Sequence, residues 1–303
     1  MSEHPPLPAR PEWLRRKERG SIAAIKLVVM AALGLGRPVI RFFLPAICFY
    51  YLLLWPESRQ ASRSYLARAL TRPARLGDVF RHYRAFASCV LDRVFFLKNR
   101  LDLFDIRLFN EELATDLQAS GSGCILLGAH IGSFEVLRAM GHSRPGLRVN
   151  MVMYEENAQK VSTVLDAINP ALADDIISLG RPDALLTVQQ CLEDGHFVGV
   201  LADRSLTDER LVAQPFLGAP ARFPADPFRM IALLQRPVLL MVGLYRGGNR
   251  YDIHIEPFAL PGDLPRRPDP DQLAEIVGRY VARLDHYCRI APYNWFNFYD
   301  VWH

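Results

Sequence analysis

The sequence is poor in cysteine, and its cysteines lack the spacings that hold metals or disulfide frameworks. There are five, an odd number, with no C-x-x-C pair among them. Neither a disulfide-stapled fold nor a zinc site is indicated, and no metal is expected. A reducing, cytoplasmic setting fits the globular part best. The five are Cys48, Cys89, Cys124, Cys191 and Cys288.

Several common site signatures are also missing. Residues 141–145 carry Pro145 where the G-x-S-x-G elbow of a serine hydrolase requires glycine. The glycines at 121 and 123 are followed by Leu126, where a dinucleotide fingerprint has its third glycine, and there is no Walker lysine motif. No zinc finger or RNP-like motif supports nucleic-acid binding. We therefore expect no cofactor and no nucleic-acid partner.

Charge is unevenly distributed along the chain. Residues 1–100 hold 18 Lys/Arg and 6 Asp/Glu, a net charge of +12, whereas residues 101–303 hold 18 and 26, a net charge of −8. A basic end of this size faces anions, and the apolar sequence between its basic blocks favours membrane headgroups. We therefore divide the chain into a basic, apolar helical membrane-association region, 1–100, and an α/β domain, 101–303.

Long uncharged apolar runs are absent from the N-terminal region. The runs at 22–36 and 39–55 are interrupted by Lys26 and Arg41, so neither has the roughly 20 uncharged residues of a spanning helix. No small-residue cleavage site follows the first run, so a signal peptide is not indicated. Because basic blocks flank both runs, we expect a re-entrant hairpin or two interfacial helices on the cytoplasmic face. A pair of buried core helices is the alternative.

Further helices are predicted over 57–70 and 76–98. In the second, apolar side chains recur at helical spacing and are expected to face the core, with arginines on a solvated or headgroup-facing side. The apolar set is Val79, Tyr83, Phe86, Val90, Val94 and Leu97, and the arginines are Arg81, Arg84 and Arg93.

From about residue 110 the pattern alternates between strand and helix. This predicts a mostly parallel central sheet with helices on both faces. The predicted strands are Cys124–Gly128, Arg148–Tyr154, Ile176–Leu179, Phe197–Ala202 and Val238–Tyr245, with Tyr251–Glu256 as an edge strand. The predicted helices lie near Glu135–Met140, Asn157–Ile168, Pro182–Glu193, Pro227–Gln235 and Gln272–Ile290. Ligands bind beyond the carboxyl ends of such strands, so His130, Tyr154 and Asp203 should open onto one crevice.

His130 ends the first of these strands, and Glu135 follows it by five positions across a glycine turn. No other histidine has a carboxylate at this offset. A histidine and a carboxylate held across a strand-to-helix turn can act as a general base and its orienting partner. The alternative is a loop histidine beside a solvated glutamate. Cys124 is six residues from His130 along the strand, about 20 Å, and is read as a core residue.

These residues belong to a wider set of landmarks. They are Gly128-Ala129-His130 with Glu135, Met153–Asn157 after the second strand, Ala202-Asp203-Arg204 after a later one, and Phe216–Pro224 ahead of a helix. In them the chain resembles the late acyltransferases of bacterial lipid A biosynthesis, the lauroyl/myristoyl transferase family of H-x4-D/E enzymes, over most of its length. It departs from that family in the Ile131-Gly132-Ser133 turn and in the Tyr154-Glu155-Glu156 loop. It is more similar there to members associated with aryl polyene or other specialised lipids, which leaves the acceptor open.

The resemblance implies acyl transfer from acyl carrier protein or coenzyme A to a hydroxyl or amine of a lipid or glycolipid at the cytoplasmic face of the inner membrane. His130 would remove the acceptor proton, and Glu135 would fix the imidazole tautomer. Donors for the oxyanion would be backbone N–H groups at Gly132-Ser133, or Arg204. Asp203-Arg204 could equally be a structural ion pair. Expected substrate-binding residues are Ser133, Tyr154, Asn157, Asp203, Arg204, Phe216 and Gly218. A thioesterase, a lysophospholipid acyltransferase and a non-catalytic membrane scaffold remain as alternatives.

Overall fold

The computed structural model describes residues 22–136, 146–154, 175–179, 183–204 and 210–302, and gives only the backbone for 22–28 and Tyr154. The basic block at 15–19 and the predicted helix Asn157–Ile168 lie outside the described residues, as does most of the predicted helix Glu135–Met140.

Four helices form the N-terminal region, as the sequence predicts. They are α1 (Ile22–Leu35), α2 (Arg37–Leu54), α3 (Pro56–Ala69) and α4 (Leu76–Leu97). Gly36, with φ 82°, separates the first two helices. Pro56 begins α3, a position where the missing N–H of proline costs no helical hydrogen bond.

The remaining elements build a mixed α/β domain. Its strands are β1 (Asp105–Phe109), β2 (Cys124–Gly128), β3 (Val149–Tyr154), β4 (Ile176–Leu179), β5 (Phe197–Leu201), β6 (Leu211–Phe216), β7 (Ala219–Pro224), β8 (Val238–Gly247) and β9 (Arg250–Ala259). Its helices are α5 (Glu111–Ala119), α6 (Ala184–Glu193), α7 (Asp226–Leu234) and α8 (Pro270–Ile290).

Seven strands form one sheet in the order β1-β9-β8-β2-β5-β3-β4, and β6 and β7 form a separate hairpin. The pairs from β8 through β4 are parallel, while β8 and β9 are antiparallel. The predicted mostly parallel sheet is therefore confirmed. The expectation that Tyr251–Glu256 is an edge strand was wrong, because β1, absent from the prediction, pairs with the outer side of β9.

Both faces of the sheet are covered, because alternate residues of its strands enter different apolar clusters. Ile125 and Leu127 of β2 join one cluster and Cys124 and Leu126 join the other. The first cluster extends to helices of the N-terminal region, through Cys48 and Leu52 of α2 and Tyr65 and Leu66 of α3. These helices therefore contribute to the main core. The prediction that Cys124 is a core residue is confirmed, since it is fully buried.

The inward face of α4 differs in part from its prediction. Val79, Tyr83, Val94 and Leu97 are buried, but Phe86 and Val90 are exposed. The buried face instead includes the polar residues Asp78, His82, Ser88 and Asp92. Hydrophobic periodicity cannot identify an inward face that carries hydrogen-bonding groups, since it counts those positions as outward.

Helix α2 is the one described helix that is long and apolar enough to cross a membrane, and 17% of it is buried. Its start is fixed to the rest of the molecule by Arg37. The Arg37 guanidinium donates to both oxygens of Asp92 on α4, at 2.7 and 2.9 Å, and to the carbonyl of Gly248 at 2.7 Å. The Tyr251 hydroxyl of β9 donates to the same carboxylate at 2.8 Å. This buried network ties α2, α4 and the sheet together.

The loop after β2 returns to β8 through a contact that only glycine permits. Gly132 (φ 61°) forms a bridge with Gly243 of β8, and the Ser133 N–H donates to the Gly243 carbonyl at 2.8 Å. A Cβ on Gly243 would lie 2.5 Å from the Ser133 carbonyl oxygen. This close approach fixes where the residues after His130 lie.

Gly243→Ala should therefore destabilise the fold by about 1–3 kcal/mol, the usual cost of overpacking, as measured by urea denaturation. Gly77→Ala in α4 is the control: its Cβ meets nothing within 4 Å, and replacing a helical glycine should leave stability unchanged or raise it by up to about 1 kcal/mol. Equal stability of the Gly243→Ala variant and the wild type would contradict the close packing of loop and strand.

Candidate active site

The site lies at the carboxyl ends of β2 and β5. These strands are parallel neighbours with Gly128 opposite Leu201, and the Ala202 N–H donates to the Gly128 carbonyl at 3.1 Å. The residues that follow the two strands, His130 and Asp203, therefore meet. The two residues lie together beyond the carboxyl ends of these strands, while the common crevice with Tyr154 stays a prediction.

Asp203 binds His130 through both its backbone and its side chain. The backbone N–H of His130 donates to the two carboxylate oxygens, at 3.1 Å each. The ring nitrogen Nδ1 lies 2.8 Å from Asp203 Oδ1. Because an ionised carboxylate only accepts, Nδ1 carries the hydrogen and Nε2 keeps its lone pair.

The Asp203 carboxylate is buried and receives two further donors. Trp295 Nε1 donates at 3.0 Å and Asn297 Nδ2 at 3.3 Å. Burial raises the pKa of Asp203, but the charge and hydrogen bonds of His130 and the charge of Arg204 outweigh it and lower this pKa to about 2. The ionised carboxylate therefore stabilises the fold above its ordinary pKa near 3.8, and this contribution is lost as the pH falls through about 2.

His130 keeps 32% of its side-chain surface exposed, although protein atoms surround it closely. Burial is the largest influence on its pKa and lowers it, and the positive charge of Arg204 lowers it further. Asp203 opposes both effects, but the net shift is downward from 6.5. The imidazole is therefore neutral at pH 7, the form that accepts a proton.

Arg204 is oriented by the C-terminal segment. Its Nε donates to Asn297 Oδ1, and its Nη2 donates to the Phe296 carbonyl at 2.7 Å. Since Asn297 accepts from Arg204 and donates to Asp203, one amide holds both charged groups. A guanidinium fixed beside an imidazole is suited to binding an anion.

Residues 294–297 also bind the loop that carries His130. The Gly132 N–H donates to the Asn294 carbonyl at 2.7 Å, and the Phe296 N–H donates to the His130 carbonyl at 2.8 Å. The Asn294 side chain in turn bonds both backbone polar groups of Tyr245 on β8, at 2.7 and 3.2 Å. The segment thus joins the loops after β2 and β5 to β8.

Glu135 does not make the contact that the sequence predicts. Its Oε1 lies 2.7 Å from Arg93 Nη2 on α4, while Asp203 occupies the Nδ1 side of His130. The buried Oε2 has no hydrogen-bond partner among the described residues. The physical reason is the glycine turn: the contacts of Gly132 and Ser133 with Asn294 and Gly243 separate the helix start from the imidazole.

The predicted oxyanion donors at Gly132 and Ser133 are also already bonded. Their N–H groups donate to the carbonyls of Asn294 and Gly243, so they are not free to bind a substrate oxygen. The other predicted donor, Arg204, stays a prediction.

The other predicted substrate-binding residues are placed as follows. Ser133 is buried, and Phe216 is fully buried against Trp295 and Trp302. Phe216 therefore backs the site and does not line it. Gly218 lies at the turn of the β6–β7 hairpin, where its φ of 85° favours glycine. The backbone of Tyr154 ends β3 at the same edge of the sheet as His130, and Asn157 lies outside the described residues.

Sequence analysis missed Trp295, Asn297 and Asn294, which form the frame of the site. The available signal was the run Tyr293–Phe298, in which two asparagines stand among four aromatic residues beyond the last helix. Polar side chains with two hydrogen-bonding groups in an apolar, non-helical segment are typical of buried backbone and carboxylate partners.

The imidazole of His130 should titrate below pH 6.5, as followed by NMR of histidine-labelled protein with the His130→Ala spectrum as the assignment control. Asp203→Asn removes the negative charge that raises this pKa, so the titration should move to still lower pH. An upward shift in the Asp203→Asn variant would contradict the assigned charge state of the pair.

A comparison with protein families identifies the family of this chain. The family model described as bacterial lipid A biosynthesis acyltransferase matches residues 96–302, well over half of the chain, a range that includes His130, Asp203 and residues 294–297. A search of curated proteins gave no match. Members of this family are membrane-associated and act on lipid acceptors. The chain belongs to the family of bacterial lipid A biosynthesis acyltransferases.

Proposed function

We propose that this acyltransferase moves a fatty acyl group from a thioester to a hydroxyl or amine of a membrane lipid or glycolipid, with His130 as the general base. The thioester is that of acyl carrier protein or coenzyme A, and the acceptor is lipid A or a specialised lipid. The observation that carries the proposal is the neutral, partly exposed imidazole of His130, held by the buried, ionised Asp203.

In this mechanism Nε2 of His130 takes the proton of the acceptor as its oxygen or nitrogen attacks the thioester carbonyl. The new bond to carbon forms, the carbonyl becomes an oxyanion, and the imidazolium that results is stabilised by Asp203. Collapse of the intermediate breaks the C–S bond, and the imidazolium returns the proton to the departing thiolate. No covalent enzyme intermediate is needed.

Arg204 is the proposed donor to the oxyanion. Its Nε and Nη2 are held by Asn297 and Phe296, which fixes the plane of the guanidinium. Its Nη1 makes no hydrogen bond to any residue that the structure describes. A pre-oriented donor of this kind stabilises developing charge without reorganising during the reaction.

We propose that Glu135 takes no direct part in the proton transfer. Its ion pair with Arg93 joins the start of the helix after His130 to α4. The pair orients the motif against the N-terminal helices.

His130→Ala should lower kcat/KM for acyl transfer by about 10²- to 10⁴-fold, the usual contribution of a general base, in a protein that still folds. Glu135→Gln should lose less, because it removes charge without removing the base. Acyl release and lipid acylation are measured separately by mass spectrometry with acyl carrier protein and coenzyme A thioesters.

The exposed His286 on α8 supplies the control, and His286→Ala should retain activity. Near-full activity of a folded His130→Ala variant would refute the general base. Release of free fatty acid without any acylated lipid would indicate a thioesterase, and no turnover with either donor would indicate a scaffold.

We propose further that α2 lies in the membrane interface of the cytoplasmic face and does not span the bilayer. Its inner stripe, Leu44, Cys48 and Leu52, is buried, and the Arg37–Asp92 ion pair fixes its start. With this stripe packed on the protein, only the outer face of the helix is left to contact lipid, as in an interfacial helix. The outer face carries large apolar side chains, among them Phe42, which is 78% exposed, and Phe49. Tyr50, Tyr51 and Trp55 at its end are of the types enriched at membrane interfaces.

Phe42→Asp combined with Phe49→Asp should weaken binding to anionic vesicles at least about tenfold, since burial of one phenylalanine is worth roughly 1.5–3 kcal/mol. Leu186→Asp on α6, a side chain that is 67% exposed, is the matched control and should bind normally. Vesicle co-sedimentation in low and high salt measures both. Binding that survives the double substitution and high salt would contradict interfacial attachment through this face.

A further inference from the structure

A fully buried histidine outside the proposed reaction, His82 on α4, contacts the frame of the active site. Its Nε2 lies 2.8 Å from the carbonyl oxygen of Trp295, and its Nδ1 lies 2.8 Å from the Ser62 hydroxyl of α3. Ser62 and His82 have no exposed surface. Two helices of the N-terminal region thus reach the segment that holds Asp203.

The hydrogen bonds fix the tautomer of the neutral His82 imidazole. A carbonyl oxygen only accepts, so Nε2 of His82 carries the hydrogen and Nδ1 accepts from the Ser62 hydroxyl. Burial lowers the pKa of His82 to about 4, although the bond to Trp295 opposes this. The ring is therefore neutral at physiological pH and has one favoured orientation.

The carbonyl of Trp295 belongs to the residue that supports the catalytic pair. Trp295 forms an isolated bridge with Ile131, next to His130, and its indole N–H donates to Asp203. A buried carbonyl outside regular secondary structure must find a donor from elsewhere. The hydrogen bonds therefore run in one line from Ser62 through His82 and Trp295 to Asp203 and His130.

Packing alone does not require an imidazole at this position. The ring of His82 lies among the rings of Tyr65, Phe296 and Phe298, an apolar surrounding that a leucine or phenylalanine would also fill. A buried polar ring costs free energy unless both its nitrogens are bonded, and here both are. The imidazole of His82 therefore serves to hold the Trp295 peptide, through the hydrogen bond to its carbonyl.

We propose that Ser62 and His82 are positioning residues for acyl transfer, which fix the Trp295 peptide so that its indole holds Asp203 against His130. This rests on the proposed role of His130 as base. It makes the N-terminal helices part of the catalytic frame as well as the membrane attachment.

The test compares His82→Leu, which removes the donor, with His82→Gln, whose side-chain amide can donate to the same carbonyl. Tyr251→Phe is the control. It deletes an equally buried hydrogen bond, from the Tyr251 hydroxyl of β9 to Asp92 of α4, which lies away from the site. For each full-length variant, kcat and KM are measured below its melting temperature, and the His130 imidazole is titrated by NMR.

His82→Leu should lower kcat by up to about 10²-fold with little change in KM, the effect of a small misplacement at a reacting group. The His130 titration should move as Asp203 loses its fixed geometry. His82→Gln should recover most of both properties, and Tyr251→Phe should change neither.

Unchanged kcat and an unchanged His130 titration in a folded His82→Leu variant would overturn the proposal. The proposal would also be overturned if His82→Leu and Tyr251→Phe both lost activity in proportion to the decrease in their melting temperatures. The titration does not depend on turnover. If the wild type shows no acyl transfer but the His130 titration of His82→Leu is shifted, the proposed function is refuted, and the role of His82 in holding Asp203 against His130 stands.

Discussion

The buried carboxylate of Asp203 is the group on which the rest of the structure depends. A charge removed from water must be matched by donors, or the fold loses several kcal/mol. The chain supplies these donors from two segments far apart in sequence, the loop at His130 and the segment containing Trp295 and Asn297. The site and this part of the core therefore depend on the same contacts, and a polar frame of this kind is costly when any one member is missing.

The N-terminal helices cannot be separated from this frame as a simple anchor. Cys48 and Leu52 of α2 belong to the core cluster that also contains Trp295, and Arg37 closes a buried network with Asp92. Removing the first two helices would expose part of that core and leave the Asp92 carboxylate without its guanidinium. Loss of activity after such a truncation would then report on folding and on membrane binding together, whereas substitutions on the outer face of α2 separate them.

The sequence was a good guide to the centre of the sheet and a poor one to its periphery. Continuous apolar runs such as Cys124–Gly128 and Phe197–Leu201 identify parallel strands buried on both faces, and their shared edge follows from topology. β1 has no fully buried position, and the hairpin Leu211–Pro224 contains three prolines, so both carry a weak strand signal. Side-chain partners such as Trp295 depend on long-range packing, which periodicity does not encode.

The motif around His130 shows why spacing and contact differ. Spacing identifies a histidine and a glutamate as close along the chain, but the register of β2 and β5 decides which carboxylate reaches the imidazole. Asp203 comes from the neighbouring strand and meets the ring directly, whereas Gly132 turns the chain away before Glu135. A carboxylate five residues after the histidine then falls on the first turn of the next helix, facing Arg93 of α4. In this chain the motif brings together two separate contacts, a hydrogen bond from His130 to Asp203 and an ion pair from Glu135 to Arg93 that joins the loop to the N-terminal helices.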